Sequence, residues 1–87
     1  MPITKRLILT AHARLRIAER KLDHRWVEDT VRTPEWTEPE SKDARIERRF
    51  RHIEEFGGRI LRVACVETNT TIRVISVLFD RNARRKP

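Results

Sequence analysis

His12, Arg16 and Glu19 are spaced so that a helix sets them in one polar stripe: at about 100° per residue, Arg16 lies about 40° from His12 and Glu19 about 20° to the other side. Histidine gives and takes a proton near neutral pH. A guanidinium one turn away can hold a phosphate beside it. These are the needs of RNA cleavage without a metal: a base for the 2′-hydroxyl, cations for the charge on phosphorus and an acid for the leaving 5′-oxygen. The same spacing also fits a solvated helix side, on which Glu19 pairs with Arg16 or Arg20.

Two further groups stand out. The run Arg48 to His52 (RRFRH) interleaves an aromatic with cations. On a strand, Arg49 and Arg51 point to one side and Arg48, Phe50 and His52 to the other. Such a surface can stack on unpaired bases; alternatively Phe50 is core and the arginines line an ordinary outer face. Within TIRVISVLFDR, Arg73 and Ser76 interrupt an apolar strand, where a charge is expected only if it pairs or faces a site. Their parity differs, so only a bulge or an edge geometry brings them together. Asp80 and Arg81 are expected to form a local ion pair.

The elements that position these residues follow from local pattern. RLIL (6–9) reads as extended, and Thr10 as the N-cap of a helix running to about Leu22. Its apolar line, Ala11, Leu15, Ala18 and Leu22, predicts the buried face. Asp23 caps a second helix that Pro34 ends, with Trp26, Val27, Thr30 and Val31 inward. The polar stretch PEWTEPESKDA predicts a loop from which Trp36 folds back on the domain.

From Arg45 onward, three segments show alternation and β-branched enrichment, the marks of strands. Leu61, Val63 and Cys65 share a face. In the last strand Ile75, Val77 and Phe79 fall on the face of Arg73, and Ile72, Val74, Ser76 and Leu78 on the other. Gly57 and Gly58 supply the positive φ of one turn, and Asn69 a similar role in the next. The expected architecture is α+β: two N-terminal helices on a three- to four-stranded antiparallel sheet whose other face is partly open. It forms one domain over 1–87, with 84–87 a loose basic tail.

The 87 residues hold 20 Lys and Arg, mostly Arg, against 13 Asp and Glu, a net charge of +7. That balance favours a nucleic acid or an acidic protein as partner. Arg81, Arg84 and Arg85 add cations at the C-terminal end. The single cysteine, Cys65, rules out an internal disulfide and leaves too few ligands for structural zinc, so no metal and no cofactor are expected. No segment has the apolar length of a membrane span or a signal peptide, which predicts a cytoplasmic protein. Glycine-rich phosphate loops and the G-x-S-x-G elbow are missing.

LTAHARLRIAERKLDHRWVEDTVRTPEW, RRFRHIEEFGGRILRVACVE and IRVISVLFDRNAR together resemble, in this order, the bacterial family known as domain of unknown function 4258. That family is commonly regarded as similar to the RelE, ParE and BrnT toxins of type II toxin-antitoxin pairs. The resemblance implies a RelE-like, metal-independent endoribonuclease held inactive by a cognate antitoxin and acting on RNA, free or on the ribosome. It places His12, Arg16, Glu19, Arg73 and Ser76 in the catalytic set, Ser76 keeping the hydroxyl of the usual threonine. Arg20, Arg49, Arg51, Arg81, Arg84 and Arg85 would bind RNA. The alternative is a binder without catalysis, acting on nucleic acid or on an acidic protein such as gyrase.

Overall fold

Thr10 starts the first helix, as its sequence position predicts. Its hydroxyl accepts from the Ala13 N–H at 3.2 Å and donates to the Ile75 carbonyl at 3.2 Å, so one side chain ties the helix start to a distant strand. The computed structural model describes residues 5–84. In chain order it has β1 (Arg6–Leu9), α1 (Ala11–Arg20), α2 (His24–Arg32), β2 (Trp36–Pro39), β3 (Glu47–Ile53), a single 3-10 turn (Glu54–Phe56), β4 (Arg59–Glu67) and β5 (Thr71–Phe79).

The strands form one mixed sheet in the order β1-β5-β4-β3-β2. Only β1 is parallel to its neighbour, β5. Five strands therefore replace the expected three or four, and the sheet is not wholly antiparallel. The additional strand is β2, which comes from the stretch expected to be loop. It pairs with β3 through Trp36 opposite Phe50 and Glu38 opposite Arg48. Pro39 is accommodated because it is the last residue of an edge strand, where a missing N–H costs little.

Both helices cover the same face. Asp23 caps α2 through the Arg25 N–H at 2.8 Å, and Val27, Thr30 and Val31 are buried, with Trp26 half-buried beside them, as the spacing predicts. For α1 the expected face is corrected. Ala13 and Ile17 are buried, whereas Ala11, Leu15 and Ala18 are exposed. Both sides carry alanine and one four-carbon branched residue about a turn apart, and it is the packing of α1 on β5 that takes the Ala13–Ile17 side inward. Leu22 is buried for a different reason. Lys21 takes a left-handed φ of 53°, and the Leu22 N–H reaches back to the Ile17 carbonyl at 3.0 Å, which turns Leu22 into the core just after the helix ends.

Beneath the helices lie Ile53 of β3, Leu61, Val63 and Cys65 of β4, and Ile72, Val74 and Val77 of β5. The alternation read in β4 is therefore observed. That of β5 is not continuous. Cys65 pairs with Val74 while Ala64 pairs with Ser76, so Ile75 is an extra residue in a β-bulge. Val74 and Val77 both face the core, and Phe79 follows them inward. Arg73, Ser76 and Leu78 all take the opposite face. Between β4 and β5 the expected role of Asn69 is also corrected: it does not have positive φ. The Thr68 hydroxyl makes that turn, accepting from the Thr70 and Thr71 N–H groups at 3.4 and 3.1 Å.

Candidate functional site

The bulge decides which candidate residues meet. With Ile75 taken out of the alternation, Arg73 and Ser76 lie on the same face, the one no helix covers. There they stand in rows set by register: Trp36, Phe50, Arg62 and Leu78 in one, Glu38, Arg48, Ala64 and Ser76 in the next, then Val66, Arg73 and Ile8. A groove of about 750 Å³ runs beside Arg73, over Ile8, Val66, Thr71 and Ile75. Arg73 is exposed and has no carboxylate partner among the described residues.

The helical set lies in the other layer. His12, Arg16, Glu19 and Arg20 are all exposed on α1, and the stripe has the internal ion pair foreseen for a solvated side, Arg16 to Glu19 at 3.5 Å. Among the described residues no hydrogen bond or ion pair joins these four to Arg73 or Ser76. The physical link is Thr10, two residues before His12, which binds the carbonyl of the bulged Ile75.

The arginines of β3 divide as alternation predicts, but Arg49 and Arg51 face the helices. Arg49 donates to the Val31 carbonyl at 2.8 Å, to Glu47 at 2.8 Å and to Glu67 at 2.6 Å; Arg51 donates to the Thr33 carbonyl at 2.7 Å. Both close the C-terminal end of α2 instead of facing an open surface. On the open face Arg48 pairs with Glu40 and Arg62 with Asp80. Asp80 therefore has Arg62, not the expected Arg81, as its partner. Arg81 and Arg84 are exposed and unpaired among the described residues, and Arg85 lies outside them.

Residues 9–79 match the family described as Domain of unknown function (DUF4258). The chain belongs to the DUF4258 family. Neither the comparison with curated proteins nor that with solved structures found a match. The DUF4258 match spans α1, the bulge and both candidate sets, while Arg81 and Arg84 follow it.

Several groupings in this DUF4258 chain were not singled out as sites by sequence reasoning. Glu35 accepts from both the backbone N–H and the Nδ1 of His52, the latter at 2.8 Å. Trp36 stacks on Phe50 with centroids 4.8 Å apart and planes 1° from parallel. Trp26, Phe56 and Phe79 form a second aromatic cluster under Arg59. The alternation of RRFRH pointed toward the first two, but each needs a partner, Glu35 or Trp36, from the stretch expected to be loop.

Burial pushes the Cys65 thiol up to about 11, which leaves it a packed, neutral group and not a nucleophile. The paired carboxylates move the other way. Hydrogen bonds from Arg49 and Lys5 hold Glu67 below its ordinary value of 4.5, and hydrogen bonds from Arg48 and from the His52 backbone N–H do the same for Glu40 and Glu35. Because each folded value is depressed, its stabilisation is complete above the unfolded value and is lost as pH falls through the folded one. The urea midpoint should therefore hold steady down to about pH 5 and fall steadily below about 4.5. A midpoint unchanged at pH 3.5 would contradict these pairings.

Proposed function

We propose that this DUF4258 chain is a RelE-like toxin of a type II toxin-antitoxin pair and cleaves RNA as a metal-independent endoribonuclease. The observation that carries the reading is the Ile75 bulge, which sets a guanidinium without a carboxylate partner among the described residues, Arg73, and a hydroxyl, Ser76, on the sheet face opposite α1 and α2 in a strongly basic domain. Arg73 supplies charge for the phosphate and Ser76 a hydrogen bond to the scissile group. His12, across the sheet at the start of the helix that Thr10 ties to the bulge, is the proton carrier for RNA that passes round the β1 edge from Arg73, with Arg16 beside it and Glu19 holding Arg16. Arg20, Arg81 and Arg84 supply backbone contacts. The partner that silences such a surface is a carboxylate-rich antitoxin, and the compartment is the cytoplasm.

The test is incubation of the purified chain with single-stranded RNA and, separately, with translating ribosomes, alongside growth after induced expression. Cleavage in either assay that falls at least about 100-fold in His12→Ala and in Arg73→Ala supports the reading, since acid-base and charge-stabilising groups are each worth roughly that much. Cleavage that survives both substitutions would remove this site. Inhibition of gyrase supercoiling with no RNA cleavage would favour a binder.

A further inference from the structure

We infer that the outer edge of β1 is a docking site for an acidic, extended peptide of a partner protein, which adds to the sheet as a further strand. The docking stands on the geometry and charge of this edge, and only its competition with RNA rests on the proposal above.

The two edge strands of the sheet, β1 and β2, are not alike. β2 carries Glu38 and Pro39, a charge and a residue without an N–H, which guard an edge against a further strand. β1 reads RLIL with neither proline nor bulge, and no described strand lies beyond it. The direction of its backbone groups follows from its pairing with β5. The Arg6 N–H donates to the Thr70 carbonyl at 3.3 Å and the Thr10 N–H to the Val74 carbonyl at 3.1 Å, so in this parallel pair Arg6 and Ile8 turn their N–H and C=O toward β5. Leu7 and Leu9 turn theirs outward. Each offers one donor and one acceptor to an incoming strand of either direction.

The two faces of the edge fix the character of the peptide. On the helix side Leu7 and Leu9 are half-buried against the core, and apolar residues of a strand alongside complete their cover. On the other face Ile8 is 39% exposed, Arg6 is exposed near it, and Arg73 stands opposite Ile8 on β5. Neither arginine has a carboxylate partner among the described residues. The carboxylates nearby are already held, Asp43 by Arg45 at 2.9 Å and Glu67 by Lys5 and Arg49. A strand added at β1 lies about 9.5 Å from β5, two inter-strand spacings, a gap that a glutamate and an arginine side chain span together. The groove beside Arg73, open from Thr10 to Ile46, leaves room for the pair. The matching segment alternates apolar residues with Glu or Asp, which also suits a domain of net charge +7. Seated there, it occupies the β1 edge between Arg73 and His12 and competes with RNA.

The test is fluorescence anisotropy of the full chain with a labelled peptide of about eight residues alternating Val and Glu, roughly the length of an ordinary strand. Two controls accompany it, the same peptide with Lys for Glu and the same peptide methylated at each backbone nitrogen. Wild type should bind the Val-Glu peptide at least about tenfold tighter than either control, and the Leu7 and Leu9 amides should exchange hydrogen at least about tenfold more slowly in the complex. Ile8→Glu, which sets a carboxylate against those of the peptide, should weaken binding about tenfold. Arg6→Gln with Arg73→Gln, which alters only exposed groups, should do the same and reduce the salt dependence, at an unchanged melting temperature. Equal affinity for the methylated peptide, or unaltered exchange at Leu7 and Leu9, would overturn the docking. So would a dimer in sedimentation that Ile8→Glu dissociates, since a second copy would then hold the edge. If the peptide docks and the chain cleaves no RNA, the endoribonuclease proposal fails and the docking stands. Cleavage by a chain that does not bind the peptide gives the reverse outcome.

Discussion

Replacing Arg49 with alanine is expected to destabilise the fold by about 2 to 3 kcal/mol, because a mostly buried, multiply bonded guanidinium leaves its partners without substitutes. Its side chain is only 11% exposed, and all three nitrogens are used, by the Val31 carbonyl near the end of α2, by Glu47 and by Glu67. Water can re-solvate Glu67, which is partly exposed, so the loss stays below that of a fully buried ion pair. The Val31 carbonyl lies under the sheet and has no such recourse. Arg49→Lys should recover only part of the loss, since an ammonium cannot span three acceptors in one plane. With a urea slope of about 1 kcal/mol per M for a domain this small, the midpoint should move by roughly 2 to 3 M. A midpoint within experimental error of wild type, coupled with reduced RNA affinity, would instead return Arg49 to the RNA-binding set.

Phe50→Ala should cost about 3 kcal/mol or slightly more, the usual range for truncating a buried phenylalanine. The size of the effect is informative because Phe50 is on the face without helices and is still only 2% exposed. Trp36 supplies the cover, stacked in parallel on it from the paired position of β2, its indole N–H bonded to Glu38 at 3.2 Å. Trp36→Ala should therefore cost less than Phe50→Ala, and the double variant should show a coupling of about 0.5 to 1.5 kcal/mol. Denaturant titration of the four proteins of the cycle measures it. Additive losses would mean that the two rings are buried independently.

These two neighbours on β3 show where local reading ends. RRFRH alternates as its residue types require, so the division of Arg49 and Arg51 from Arg48, Phe50 and His52 was legible. Which side faces helices and which faces solvent was not, because it depends on α2 ending beside Val31 and on a four-residue β2 strand whose second half, Glu38 and Pro39, disfavours a strand. The face of α1 was misjudged for a related cause. Alanine and one branched aliphatic residue, Leu15 or Ile17, stand at helical spacing on both sides of that helix, and only packing against β1 and β5 selects Ala13 and Ile17.

By itself the sequence determined what short-range chemistry controls: the Thr10 and Asp23 caps, the inward side of α2, the alternation of β4, the glycine turn and the ordered motifs of the DUF4258 family. The tertiary structure alone decided that Arg73 and Ser76 share a face. Their parity forbids it in a regular strand, and one extra residue, Ile75, permits it. Nothing in TIRVISVLF marks that residue, since a bulge exists only relative to the strand opposite and to the Thr10 hydroxyl, 65 positions away, that takes up its carbonyl.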